Sequence, residues 1–398
     1  MKDQEIGKRL LYLYRKVNPT LIEFENEDIL EKHLKTCKRL YGSLLKFPEK
    51  MFKDSNLLDV GSGTGETSLC YSLWGANCDL VEFNDKACLS AKSLFDRFSI
   101  DDTKFRIFNK SLFDMDDIGL RDQYDIVTSL GVIHHTENKE KAFHILANKV
   151  AKPGFLVLAV GNAVGGIQLH MMKWICRNYA SSEEEMVEVA EKLFSNFIDR
   201  SVKYGTRSRK QIIYDQIIND QHDYFFSGDL YRLAYDNGLT PYSSFPVYHL
   251  PIGDSAINPT FSSNELPDSL IMSDLLYGMH DKDDEDTLID NRVDESVHIL
   301  LRKVIDIIGG NMIDKRLDIK GLDANLGKLF DVKENINFDF GYSGKFTKFL
   351  SEIRLIVKSL GNVDIAEMKS IISDFGVVFK GTEGLGIQYH IFTRDDEF

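Results

Sequence analysis

A cluster of three glycines directly after a short apolar run is the feature that most restricts what this chain can fold into. Residues 57–60 read Leu-Leu-Asp-Val and predict a buried strand, and residues 61–65 read Gly-Ser-Gly-Thr-Gly before a segment with helical spacing. Glycine lets the backbone turn sharply and lets a ligand lie against it, close to the N-terminus of the next helix. We therefore predict a strand, a ligand-binding turn and a helix, in that order.

Strand and helix patterns alternate after this turn. Apolar runs predict strands at residues 78–83, 105–108, 124–129 and 155–160. Apolar residues at helical spacing predict helices at residues 86–98 and 139–150, and Pro153-Gly154 is predicted to stop the second of these helices. This alternation predicts an α/β fold with a doubly wound, mostly parallel sheet, in which ligands bind beyond the carboxyl ends of the strands.

The alternation is interrupted twice, so the 398 residues are predicted to form one interrupted sheet rather than a row of domains. Residues 167–218 have mostly helical spacing, and a helix from Ser227 and a strand near 241–247 follow them. Further helical stripes precede a last strand at 386–393, which gives a seven-stranded sheet with a helical insertion after strand five and an α-rich segment in the C-terminal half. The predicted boundaries are 1–52 for an N-terminal helical segment, 53–165 for the core, 166–220 for a helical cap or insertion, 221–250 for the return to the core, 251–380 for a second α-rich insertion or subdomain, and 381–398 for the last core strand.

Two carboxylates near the glycine turn suggest the kind of ligand. Asp59 lies in the strand just before the turn, where it would repel a pyrophosphate and suits a ligand with a cationic end. The turn also departs from the dinucleotide pattern G-x-G-x-x-G, because its third glycine comes one residue early. Glu82 lies at the end of the second predicted strand, where a carboxylate can accept hydrogen bonds from both hydroxyls of a ribose. Together these features predict a nucleoside that carries positive charge.

These residues resemble a known family, the class I S-adenosylmethionine-dependent methyltransferases. The pattern Asp59-x-Gly61-x-Gly63-x-Gly65 is similar to the first motif of that family, and residues 110–114, 124–136 and 151–155 are similar to its later motifs in the same order. The resemblance implies a Rossmann-like fold with S-adenosyl-L-methionine as cofactor. It also implies that the glycine turn wraps the amino-acid part of the cofactor and that Glu82 holds the ribose.

The cofactor-binding residues follow from the resemblance. Ser111 stands where the family often has an Asp at the adenine edge, so adenine recognition is expected to depend more on the neighbouring backbone. The predicted cofactor-binding residues are Asp59, Gly61, Ser62, Gly63, Gly65, Glu82, Ser111, Leu112 and Leu130.

Candidates for the acceptor side come from position in the fold. His134 and His135 lie after the fourth predicted strand; either could be a general base, with His135 favoured, or the imidazoles could only shape the loop. The candidates for lining the acceptor pocket are Asn162, His222 and Tyr224, with packing in the interior as the alternative.

No metal site is predicted. The carboxylate-rich residues 280–296 are interpreted as a solvated loop.

Charge and cysteine content limit the partners. Lys and Arg number 48 against 62 Asp and Glu, and the net charge of -14 argues against a nucleic-acid partner bound over the whole surface. Residues 203–210 hold one basic cluster, which is either a solvated segment or a clamp on an anionic acceptor. The five cysteines show no C-x-x-C spacing and are predicted to be structural thiols in a reducing cytoplasm. No membrane insertion is expected.

The expected function is methyl transfer to a small-molecule acceptor by in-line displacement. The helical insertion is interpreted as a lid over the acceptor or as the surface of a homodimer. The alternatives are an RNA or protein methyltransferase, and a non-catalytic subunit that keeps the fold. Residues 129–132 read Ser-Leu-Gly-Val, which differs from the Asn/Asp-Pro-Pro-Tyr motif of base amino methyltransferases and disfavours that activity.

Overall fold

A computed structural model describes residues 2–17, 27–116, 118–204, 207–245, 295–312, 315–332, 342–380 and 387–395. The chain divides into two compact units. The first unit comprises Met1–Val160, Tyr231–Val247 and Gln388–Phe398, and the second comprises Gly161–Leu230 and Tyr248–Ile387. Most of the predicted carboxylate-rich loop, residues 280–294, lies outside the described residues.

The first unit is built on one mixed sheet of seven strands, numbered along the chain. The strands are β1 (Asn56–Val60), β2 (Asn77–Glu82), β3 (Phe105–Asn109), β4 (Tyr124–Leu130), β5 (Val150–Gly161), β7 (Thr240–Phe245) and β9 (Ile387–Arg394). They lie in the order β3-β2-β1-β4-β5-β9-β7, with parallel pairing from β3 through to β5 and an antiparallel β7–β9 pair. This architecture confirms the predicted α/β sheet with its last strand near residue 390. The strand order reverses between β1 and β4, and this reversal places a ligand crevice at the carboxyl ends of those strands.

Helices flank these strands. Those that lie wholly in the first unit are α1 (Lys2–Lys16), α2 (Glu27–Lys38), α3 (Glu66–Leu73), α4 (Asp85–Arg97) and α5 (Lys139–Asn148). Two of them begin at an asparagine cap: the side chain of Asn84 accepts from the backbone N–H of Lys86, and that of Asn138 accepts from Lys141. The predicted helices at 86–98 and 139–150 therefore form within two residues of their expected ends.

The predicted role of Pro153-Gly154 as the stop of a helix is wrong. Helix α5 already ends at Asn148, and Pro153 lies inside β5. The pairing of β4 with β5 shifts register there, because Tyr124 opposes Val150 whereas Ile126 opposes Phe155. Proline has no backbone N–H to donate to a ladder, so a strand accommodates it where the pairing is irregular.

The second unit is mainly helical, which confirms the helical pattern at residues 167–218. Its helices include α6 (Ile167–Tyr179), α7 (Glu183–Tyr204) and α8 (Arg209–Ile213), followed by α9 (Ser227–Asp236), which runs on into the first unit. Four more helices span Glu295–Ile308, Ile319–Val332, Tyr342–Ser359 and Ile365–Asp374, and the short strands β6 (Gln221–His222) and β8 (Gly310–Asn311) pair antiparallel. Among the described helices of both units, none combines the length and the apolar character needed to cross a membrane.

Candidate functional site

The glycine turn after β1 has a backbone that only glycine adopts easily. Gly61, Gly63 and Gly65 have φ values of 75°, 58° and 85°. A Cβ on Gly61 would lie 2.3 Å from Cγ2 of Val132, and one on Gly65 would lie 3.0 Å from Cβ of Ala91. The turn therefore passes close to both the loop after β4 and helix α4, which leaves no room for a side chain at Gly61.

A cavity of the first unit lies where the crevice is expected, at the carboxyl ends of β1, β2 and β4. The predicted site residues that line it are Gly61, Gly63, Glu82, Ser111, Leu112, Leu130 and His135. These residues come from four separate segments of the chain, and they include six of the nine predicted cofactor-binding residues, so the fold brings much of the predicted cofactor site together. Asp59, Ser62, Gly65 and His134 are not among its lining residues.

Glu82 holds the glycine turn and faces the cavity. Its Oε2 accepts a hydrogen bond from the backbone N–H of Gly63 at 3.0 Å, and its Oε1 accepts one from Asn84 at 2.8 Å. Burial raises the pKa of this carboxyl, although the backbone N–H groups of Asn84, Gly63 and Phe83 act in the opposite direction. A buried carboxylate that already accepts from the glycine turn has further lone pairs for ligand hydroxyls.

Asp59 lies beneath the turn rather than at the cavity. Its carboxylate is buried and accepts hydrogen bonds from the hydroxyls of Ser68 on α3 and Thr128 on β4, the second at 2.8 Å. Burial raises its pKa, against the effect of those two hydroxyls. Asp59 therefore connects α3 to β4 beneath the turn. It does not line the cavity, so the predicted direct contact with a cationic ligand is not seen.

We expect an Asp59→Ala variant to be less stable than the wild type by about 2–3 kcal/mol, because the buried hydroxyls of Ser68 and Thr128 would lose their acceptor. Thermal and chemical unfolding measure this difference. The matched control is Asp102→Ala, whose side chain is 79% exposed in an ion pair with Lys92 and should contribute about 0–1 kcal/mol. Equal stability of the two variants would show that Asp59 does not hold the turn.

The glycine turn also holds a polar atom whose protein partners are missing. The Oγ of Ser62 is buried and has no hydrogen-bond partner among the described residues. Buried hydroxyls are usually paired, so an unpaired one beside a backbone cradle suits a polar ligand. Ser62 stands between Gly61 and Gly63, which both line the cavity, so this hydroxyl, the glycine backbone and the Glu82 carboxylate together suit a polar ligand.

The wall predicted to contact the adenine combines a capped turn with apolar side chains. Ser111 accepts from the backbone N–H of Phe113 at 3.2 Å and so caps the short helix Leu112–Asp114. Leu112 is buried, and Leu130 ends β4 on the other side of the lining. The Ser111 hydroxyl is thus engaged in its own loop.

Helix α1 contributes residues that the sequence analysis missed. Gly7, Leu10 and Tyr14 line the same cavity. The Tyr14 ring lies edge-on to Phe83 at 6.3 Å between centroids, and an ion pair joins Arg15 of α1 to Asp85 of α4. The spacing of apolar residues within 6–17 is typical of an amphipathic helix. It does not indicate which part of the protein the apolar face of that helix packs against.

The two adjacent histidines are placed differently. His135 lines the cavity, whereas His134 is buried. Their rings contact each other with centroids 4.2 Å apart, on a short helix (Ile133–His135) after β4. Only His135 is in a position to meet a molecule within the cavity.

The remaining predicted residues lie in the second unit. Oδ1 of Asn162 accepts from the backbone N–H groups of Val164 and Gly165 and shapes the turn into α6. The Tyr224 ring lies 5.4 Å from the ring of His222, and the space beside Gly161 is filled by Tyr224. All three predicted residues are buried within that unit, and their role in an acceptor pocket stays a prediction.

His222 has an unusual neighbour, the buried amine of Lys173. The Nζ of Lys173 hydrogen bonds both Nδ1 of His222 and the backbone oxygen of Asn219. Burial lowers the pKa of Lys173 to about 7. This polar pair is enclosed in the helical unit.

The basic cluster is largely paired with acids of its own unit. Arg207 contacts Asp215 at 2.7 Å, and Arg209 forms ion pairs with both Glu191 and Asp199. Lys210 lies over the ring of Tyr214, and the side chain of Lys203 lies outside the described residues. Two of the cluster's positive charges are therefore compensated locally.

Comparison with known proteins places these features in a family. The sequence profile of a family described as "Methyltransferase domain" matches residues 31–243. Among solved structures, the magnesium protoporphyrin IX methyltransferase ChlM from Synechocystis PCC 6803 is 13% identical, with 60% of this chain and 82% of that chain covered and a TM-score of 0.34. The YcgJ protein from Bacillus subtilis is 15% identical, with 67% and 91% covered and a TM-score of 0.32. No curated protein sequence matches the chain significantly.

Proposed function

Because this chain belongs to the methyltransferase-domain family, its methyl donor is S-adenosylmethionine, and we propose that it transfers the methyl group to a small-molecule acceptor. The membership confirms the resemblance seen in the sequence motifs. Two observations support a small acceptor: the net charge of -14, and the ion pairs that compensate Arg207 and Arg209 of the basic cluster.

The chain's own residues fit the parts of this cofactor. When bound, the cofactor supplies a methyl group on a positively charged sulfur. Glu82 would accept hydrogen bonds from the ribose hydroxyls, and the backbone of the glycine turn with Ser62 Oγ would hold the polar amino-acid end. Leu112 and Leu130 provide apolar surface for the base. In-line displacement depends mainly on orientation, so residues that fix the two reactants supply much of the rate.

The observation that carries the small-molecule assignment is the local neutralisation of the basic cluster. A polyanion is held by uncompensated Lys and Arg charges. Here Arg207 and Arg209 are engaged by Asp215, Glu191 and Asp199 of the same unit, in a chain with a net charge of -14. A small acceptor needs no such surface.

The test is to incubate the enzyme with cofactor carrying a labelled methyl group and a cell extract, then to separate products by mass. We expect label in molecules of low mass, identified by mass spectrometry. Label confined to RNA or protein would overturn the proposal and favour the macromolecular alternative. A binding titration adds a second check, because an RNA substrate would show affinity that falls steeply with salt.

Of the two adjacent histidines, His135 is the better placed to act as a general base, because it lines the cavity whereas His134 does not. We expect His135→Gln to lower kcat by about 10²–10⁴ if the acceptor must lose a proton, while the Kd for S-adenosylmethionine changes little. Steady-state kinetics with the identified acceptor and calorimetry with the cofactor separate these effects. The buried neighbour variant His134→Gln is the control. Unchanged kcat in His135→Gln would show that His135 is not a general base in this reaction.

A further inference from the structure

One imidazole and two thiols meet in the first unit away from the residues that line the cavity. His33 and Cys37 lie one turn apart on α2, and Cys70 lies on α3. The His33 nitrogen and both Sγ atoms all lie within 4.8 Å of one another. Both cysteines are buried, and His33 is half-buried at the edge of the cluster.

The spacing of this cluster suits a tetrahedral metal. Zinc binds sulfur at about 2.3 Å and imidazole nitrogen at about 2.0–2.1 Å, so tetrahedral N and S ligands are about 3.6 Å apart. The Nε2 of His33 lies 3.6 Å from Sγ of Cys37. An i, i+4 pair on one helix can thus supply two ligands without rearrangement, and α3 supplies the third.

The donor atoms of the cluster select the kind of metal. In the metal-free protein the backbone oxygen of Glu66 accepts a hydrogen bond from the thiol of Cys70 at 3.6 Å, and zinc would replace that thiol proton. Two thiolates and one imidazole are donors that zinc prefers, whereas magnesium and calcium prefer oxygen.

We propose that His33, Cys37 and Cys70 form a zinc site that links α2 to α3. Binding of Zn²⁺ would release the two thiol protons to solvent, and the fourth tetrahedral position would remain for a water molecule. Helix α3 begins directly after the glycine turn, so the metal would fasten the N-terminal helical segment to the element that carries the turn. Cys37 and Cys70, which the sequence analysis predicted to be structural thiols, would then be zinc ligands.

The experiment measures zinc on the full chain, purified with a reductant and stripped of metal. Zn²⁺ is added in competition with a chromogenic chelator, and we expect one zinc ion per chain. His33→Ala and Cys37→Ala should each weaken zinc affinity at least tenfold. The matched control is Cys176→Ala, because Cys176 is a buried thiol of the second unit and should not affect zinc binding.

A second readout guards against variants that do not fold. Added zinc should raise the Tm of the metal-free wild type and of Cys176→Ala but not that of His33→Ala, because a ligand stabilises only the state that binds it. Failure of the wild type to bind zinc, or undiminished affinity in His33→Ala, would overturn the proposal. So would a Cys37–Cys70 disulfide in peptide maps of the protein isolated without reductant. None of these measurements depends on methyl transfer.

Discussion

A Gly63→Arg variant should lose measurable binding of S-adenosylmethionine while keeping its fold. Gly63 lines the cavity with a φ of 58°, and its N–H donates to Glu82. An arginine side chain at this position would fill the space in which the ligand's amino-acid end is expected, and it would place a positive charge beside a cationic ligand. We expect a loss of at least about a hundredfold, equivalent to about 2.7 kcal/mol, measured by calorimetry.

The control separates occlusion of the site from strain in the backbone. Gly119 also has a positive φ, of 82°, and no atom lies within 4 Å of an added Cβ. Gly119→Arg should therefore carry the cost of a left-handed non-glycine residue without blocking the cavity. Cofactor binding by Gly63→Arg at near wild-type strength, with Gly119→Arg unaffected, would place the amino-acid end of the cofactor elsewhere.

The second large effect is expected at Glu82. Glu82→Ala should weaken cofactor binding by at least about a hundredfold, because hydrogen bonds to a charged partner contribute roughly 1.5–3 kcal/mol each and the ribose offers two hydroxyls. Removal of the carboxylate also frees the backbone N–H groups of Gly63 and Asn84, which loosens the turn. Calorimetry gives the affinity, and circular dichroism checks that the fold is kept. An unchanged Kd would show that the ribose binds at a different place.

The pH dependence gives Glu82 a separate signature. Burial raises the pKa of Glu82 in the ligand-free protein, so this carboxyl takes up a proton at a higher pH than an ordinary glutamate. Because the ionised form accepts the ribose hydroxyls, wild-type affinity should be greatest above the raised pKa and should decrease as the pH falls through it. Glu82→Gln should lack this change over the same range. An identical pH profile for wild type and Glu82→Gln would assign the titration to another group.

Much of the fold was predictable because its signals are local. The glycine turn, the strand that ends at Glu82 and the stripe of α5 each depend on residues close together in sequence. The predicted stop of α5 at Pro153 was wrong. A proline that follows a helical pattern usually indicates the end of the helix, but here α5 ends at Asn148, before Pro153. The irregular β4–β5 pairing that accommodates Pro153 involves two distant segments, and local spacing carries no information about it.

The site was predicted in part for the same reason. Gly61, Gly63 and Glu82 face the cavity as expected, since the carboxyl ends of parallel strands meet at one edge. Asp59 occupies the expected strand but binds Ser68 and Thr128 instead of lining the cavity. A motif identifies which residue type stands at a position, but the direction of its side chain follows from the neighbours that pack around it.

The sequence by itself determined the strand, turn and helix order and the need for glycine after β1, because periodicity and backbone freedom are properties of short segments. The family followed from the resemblance of its ordered motifs to known methyltransferases, which the family match confirms. Only the tertiary structure decided that α1 covers the cavity, that Asp59 braces the turn from beneath, and that Cys70 joins His33 and Cys37. Each of these contacts joins residues from separate elements. Their proximity depends on how whole faces of helices and strands pack, which no local pattern encodes.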